Sequence, residues 1–161
     1  MLSDFQINDL WEQWISAETR ALYFAEIGGR YNSWQSFLTW ATLFLASGAT
    51  AAVLSGVPSQ FAWVRPVLTS LAAALSLVSL VMQNTKKYAD CADLHFKWNR
   101  LAGEYKALWN ETYADSASAT LAKLNEKAAD LSKTGMWVGY KKRVLLKWEN
   151  QVLEQHGVAT A

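Results

Sequence analysis

Charge is missing from two long windows of this chain. No Asp, Glu, Lys or Arg lies between Arg30 and Arg65 or between Arg65 and Lys86, gaps of 34 and 20 residues. A water-soluble helix of that length carries a charged outer face, whereas a bilayer core of about 30 Å takes ~20 mostly apolar residues per crossing. The gaps therefore read as two membrane crossings. Cysteine is nearly absent: Cys91 stands alone, which excludes an internal disulfide framework and a multi-cysteine metal site and fits a reducing compartment. The two histidines, His95 and His156, are 61 positions apart with no second ligand at metal spacing. In a chain of 161 residues, two crossings leave too little for a large enzyme domain. A basic patch ahead of an apolar core is also lacking, since the chain opens with Asp4, Asp9 and Glu12. The first hydrophobic segment is thus expected to act as its own insertion signal.

What is present divides the chain into three parts. Residues 1–33 carry a net charge of −3, the connection at Arg65 carries +1, and residues 84–161 carry +3. In the first part, Ile7, Leu10, Trp11, Trp14, Ile15 and Leu22 recur at near-helical intervals after Ser3 or Asp4 as a cap, predicting an amphipathic helix to about Glu26. Its apolar face lacks the Lys/Arg rim of a surface-lying helix, so packing against the C-terminal helices is the preferred reading. Gly28-Gly29 and Arg30–Ser33 are expected to break it and turn the chain towards the membrane. The second part, 34–85, reads as a transmembrane hairpin with crossings at about 36–57 and 66–84. Trp34, Trp40, Phe61 and Trp63 flank the first crossing, and Pro66 opens the second. Arg20, Arg30, Lys86, Lys87, Lys97 and Arg100 lie near the outer ends against Arg65 alone in the connection, which places both termini in the cytoplasm.

The third part, 86–161, reads as a cytoplasmic helical bundle. No breaker follows Asn84 until Ala114–Thr120, so the second crossing is expected to continue as one long helix, with Leu94, Trp98, Leu101, Tyr105 and Leu108 as its packing seam. A polar face recurs every seven residues along it, at Thr69, Ser76, Gln83, Asp90, Lys97, Glu104 and Glu111. Leu121, Leu124, Ala128 and Leu131 predict another helix that stops near Gly135. Val144, Leu145, Trp148 and Val152 predict a last one from about Tyr140 to Gln155, with Gly157 as its stop. The fold class is all-α.

Two constellations bear on function. Within the hairpin, Ser36, Thr39, Ser47 and Thr50 share one face of the first helix, and Arg65, Thr69, Ser76, Ser79 and Gln83 share one face of the second. Such stripes pack helices closely, or they line a water-filled path, because Arg65 and Gln83 are costly to show to lipid. Two crossings cannot enclose a pore, so conduction requires several copies around an axis. The other constellation holds Lys133, Lys141, Lys142, Arg143 and Lys147 beside Trp137, Tyr140 and Trp148, with no acid between. It reads either as a phosphate-binding surface, with Lys141, Lys142, Arg143, Lys147, Trp137 and Tyr140 as its contacts, or as a basic face near anionic headgroups with its rings buried between helices. Nothing points to catalysis, a metal or a cofactor: Cys91 reads as a small buried hydrophobe, His95 as a polar residue on a helix face, and Glu104 and Glu111 as solvated.

A helix ahead of two closely spaced crossings, followed by Lys86-Lys87-Tyr88-Ala89 and Phe96-Lys97-Trp98-Asn99-Arg100-Leu101-Ala102-Gly103-Glu104-Tyr105, resembles the SLATT group of two-transmembrane effectors over roughly residues 5–112. The resemblance implies a bacterial inner-membrane protein of antiviral defence, with no enzymatic activity. Such an effector oligomerises through its hairpin when triggered, perturbs the membrane, as a pore in the leading reading, and stops the host cell. Implied partners are membrane lipids, further copies of the chain, and a nucleotidyltransferase, reverse transcriptase or other defence-operon protein. Two alternatives stand beside it: a membrane anchor or adaptor for a soluble defence enzyme, and a cyclic-nucleotide-gated effector with its sensor in residues 116–161.

Overall fold

The computed structural model describes residues 1–54 and 63–158, with the backbone alone for 48–54, 64 and 65. Among them there are helices and no strand: α1 (Asp4–Leu54), α2 (Val64–Met82), α3 (Asn84–Asn110), α4 (Ala117–Thr134), a 3-10 turn (Gly135–Trp137) and α5 (Lys142–Gln155). The expected connection around Gly56, Pro58, Ser59 and Phe61 lies outside the described residues. The chain forms two compact units, Met1–Ile27 with Asp90–Ala161, and Gly28–Ala89.

The first unit is built on alternating three- and four-residue spacings. Leu10, Trp14, Ala17, Ala21 and Phe24 of α1 are buried, as are Cys91, Leu94, Trp98, Leu101, Tyr105 and Leu108 of α3. The seam expected on α3 is thus a packed stripe. Leu121, Leu124 and Ala128 of α4 and Val144 and Val152 of α5 complete the core. The start of α1 is a capping box: Gln6 N–H donates to Ser3 Oγ at 3.3 Å while Ser3 N–H donates to Gln6 Oε1 at 3.0 Å. The terminus is held down further by the Met1 ammonium on Ala114 O (2.9 Å) and Leu2 N–H on Thr112 O (3.0 Å), both in the α3–α4 connection. The Trp-rich face of α1 packs inward. Trp14 lies 4.7 Å from the His156 ring, and Trp11 lies 5.5 Å from Trp109.

A polar relay crosses this core. Tyr105 O–H donates to Asn125 Oδ1 at 2.8 Å, and Asn125 Nδ2 donates to Asp9 Oδ2 at 3.0 Å, which joins α3, α4 and α1. Burial, with the Asp9 charge beside it, pushes the Tyr105 phenol up to about 12, so it is a hydrogen-bond donor at any physiological pH. Burial likewise pushes the Cys91 thiol up to about 11, an inert group at neutral pH.

One expectation about the helices is corrected. Gly28-Gly29 do not break α1, which continues through Arg30–Ser33 to Leu54. Each helical glycine costs only about 1 kcal/mol, and with no proline nearby the flanking turns carry the helix through. The second crossing continues as expected into a long helical run, Pro66–Asn110, of 45 residues. The run is interrupted at one residue, Gln83, which adopts the left-handed conformation (φ 47°, ψ 36°) between α2 and α3, and the Lys87 N–H bonds back to Gln83 O at 3.0 Å.

Replacing Tyr105 with Phe should leave the half-buried Asn125 Oδ1 without its donor and cost about 1 kcal/mol. Thermal unfolding of the detergent-solubilised chain measures it, and an unchanged midpoint would remove the relay from the forces holding this unit.

Candidate functional site: an exposed apolar helix pair and a basic segment

Unit 2 contains residues 28–54 of α1, α2 and the start of α3. Its two long segments are tied by Gln35 Nε2 donating to Ser79 Oγ at 3.0 Å and by the Lys87 ammonium 5.7 Å over the Tyr31 ring. The pairing runs in opposite directions along the two segments, as a helical hairpin requires. Leu38 and Asn84 are buried in this unit, whereas Trp34, Phe37, Trp40, Leu43 and Phe44 on one segment and Leu71, Leu77, Leu80 and Val81 on the other are exposed. The run Pro66–Asn110 is long and apolar enough to cross a membrane by length and composition, and only 6% of its apolar window is buried. A helix in the core of a water-soluble protein would bury most of such a window.

The hydroxyls of the two stripes mostly bond to their own helices. Thr39 Oγ1 donates to Gln35 O (2.9 Å), Ser47 Oγ to Phe44 O (3.2 Å), Thr69 Oγ1 to Pro66 O (3.1 Å) and Ser76 Oγ to Ala72 O (2.9 Å). Back-bonding of this kind satisfies the hydroxyl donor without water. Ser79 is different, because it accepts the cross-helix bond from Gln35. Ser36 is exposed, and the side chains of Thr50 and Arg65 lie outside the description. Gln83 is the left-handed residue itself, and Asn84 beside it is 1% exposed with Nδ2 unpartnered, as is the buried Oε1 of Gln35. The left-handed residue has no signal in the sequence, since glutamine has no marked preference for that conformation.

The basic segment splits into two groups. Lys141, Lys142 and Arg143 are exposed at the start of α5. Lys147 pairs with Glu26 at 2.9 Å and lies 4.5 Å over the Trp148 ring, while Trp148 Nε1 donates to the same Glu26 oxygen at 2.8 Å. Lys147 and Trp148 therefore join α5 to α1 through Glu26. Trp137 and Tyr140 are 44% and 72% exposed, which corrects the reading that the rings of this segment lie buried between helices; only Trp148 is half-buried. The segment is held by Tyr23, whose hydroxyl donates to Gly139 O (3.1 Å) and accepts from Lys141 N–H (3.2 Å). A Cβ at Gly135 would come within 2.9 Å of Phe24 Cζ, so glycine is what lets the turn seat there.

His95 Nδ1 lies 2.8 Å from Ala21 O and His156 Nε2 lies 2.9 Å from Glu18 Oε2, so both imidazoles have structural partners. Glu104 pairs with Lys127 at 2.7 Å and Arg100 at 3.3 Å, an ion-paired group where a solvated one was expected; Glu111 is exposed. Among the described residues no group of three acids, histidines or cysteines could hold a metal ion. Sequence reading used Arg20 only as one of the charges flanking the crossings, whereas it lies beside the buried stripe, between Ala17 and Phe24 at spacings of three and four. That register was the available signal, since a cation on an apolar stripe is out of place.

Gln83→Gly should relieve the left-handed backbone and raise the thermal midpoint by the equivalent of about 1 kcal/mol, whereas Gln83→Val should lower it. Equal midpoints for the two variants would contradict a strained residue at this position. No family model, curated protein or solved structure matches this chain.

Proposed function

We propose that the protein is a non-enzymatic membrane effector whose helix pair inserts into the bacterial inner membrane, self-associates and permeabilises the bilayer, with both termini in the cytoplasm. The observation that carries the reading is the exposure of the charge-free α2 run, together with the exposed rings of Trp34, Phe37 and Trp40 on α1. Apolar surface of this extent in water costs about 25 cal/mol per Å², and lipid or a second copy removes that cost. Two crossings have no interior, so a conducting path needs copies arranged around an axis, with the Thr69–Ser76 side of α2 facing inward. The resemblance to SLATT effectors supports the defence context, with a nucleotidyltransferase or reverse transcriptase as the partner that reports infection.

The back-bonded hydroxyls favour a second reading, a membrane anchor or adaptor for a soluble enzyme. A stripe whose donors are satisfied within its own helix fits against lipid or protein without lining water.

Potassium leakage during controlled expression separates the two. Ser76→Leu replaces a back-bonded hydroxyl with a bulky apolar side chain and should abolish leakage while membrane fractionation stays unchanged. Undiminished leakage in the variant would take this stripe out of the conducting path. Intact membranes around abundant inserted protein, with the neighbouring genes co-expressed, would establish the anchor.

A further inference from the structure

Arg20 is a half-buried cation without an acid. Among the described residues no carboxylate forms an ion pair with it; its guanidinium carbon lies 4.7 Å over the Trp98 ring and one Nη donates to Ser132 Oγ. Ser132 spends its own hydrogen on Ala128 O at 2.8 Å, so it serves Arg20 purely as an acceptor. A guanidinium has five N–H donors, and this arrangement engages one. Burial pulls the Arg20 pKa below its ordinary value, the mark of a cation that lost water without gaining an anion.

The same two side chains form part of the wall of a cavity of about 410 Å³ within unit 1. Trp98 is 2% exposed, and its indole N–H is buried with no acceptor. Phe24 and Leu131 supply apolar wall, and Tyr140 stands at the cavity with its ring exposed. Arg20 also borders a neighbouring recess with Glu12 and Glu149, neither of which pairs with it. The cavity thus combines the unspent donors of Arg20 with rings and aliphatic surface. That is the composition of a pocket for a molecule with one polar end, and its volume lies in the range of small-molecule sites, ~300–1,000 Å³.

We propose that this cavity binds a small organic anion, a carboxylate or phosphate group on an aryl body, with Arg20 taking the acid oxygens and Tyr140 covering the ring. The charge-assisted bond to Arg20 supplies most of the recognition, and burial of the ring makes the pocket prefer an aryl acid over a bare anion. The site is independent of whether the helix pair forms a pore.

The test is calorimetric titration of the full chain in neutral detergent with phenyl phosphate, inorganic phosphate and benzyl alcohol. Phenyl phosphate should bind at least about tenfold more tightly than either of the others, and Arg20→Gln should weaken it by about tenfold or more. Tyr140→Ala, at an exposed position that folding does not require, should also weaken it. Equal affinity for the three probes, no binding at roughly millimolar phenyl phosphate, or unchanged affinity in both Arg20→Gln and Tyr140→Ala would overturn the proposal. Repeating the titration in nanodiscs distinguishes the source of the anion. Loss of phenyl phosphate binding in phosphatidylglycerol discs but not in phosphatidylcholine discs assigns the site to a lipid headgroup, and retention in both assigns it to a soluble ligand.

Discussion

Backbone hydrogen bonding without water is the constraint on which the charge-free part of the chain depends. In hydrocarbon an unpaired N–H or C=O costs several kcal/mol, so a segment destined for lipid must pair every one internally, and a helix does so residue by residue. Residues 28–54 and 64–82 are helical throughout, and the hydroxyls of Thr39, Ser47, Thr69 and Ser76 are folded back onto the same backbone. The apolar side chains then have nothing to hide from except water. Few of those on α2 are buried, and Leu77, Leu80 and Val81 are mostly exposed, a surface that a solvated monomer would carry at a loss.

The first unit solves a different problem with the same element. Its helices bury one stripe each, and polar groups fix which helix meets which: Tyr105 to Asn125 to Asp9 across three helices, Glu26 to Lys147 and Trp148 at α5, and the Met1 ammonium against the α3–α4 connection. These bonds are directional where hydrophobic packing is not, so they specify register. Glu26 shows the economy of the arrangement, since one carboxylate accepts from both the ammonium and the indole of consecutive α5 residues.

Periodicity made much of this legible in advance. The Leu94–Leu108 seam, the Ser3 cap, the stop at Gly135 and the left-handed Gly157 followed from side-chain spacing and backbone preference, which are local properties. Misses came where tertiary contacts outweigh local ones. Gly28-Gly29 looked like a break because glycine disfavours helix, but the penalty is small beside the flanking turns. Gln83 gave no sign of its left-handed backbone, which a glutamine does not favour. In the basic segment, burial separates residues of similar chemistry: Trp148 is held at Glu26, whereas Trp137 and Tyr140 remain open. Arg20 was hidden by its own chemistry, as an arginine on a helix ordinarily points to water.

Insertion of the charge-free helix pair, with its connection outside and both ends inside, is the claim on which the functional account rests. Single-cysteine labelling in intact spheroplasts tests it most directly. In a Cys91→Ala background, a membrane-impermeant maleimide should modify Ser59→Cys in intact spheroplasts and Ser116→Cys only after permeabilisation. Labelling of Ser116→Cys before permeabilisation, protection of Ser59→Cys, or recovery of the protein in the aqueous fraction would contradict the account.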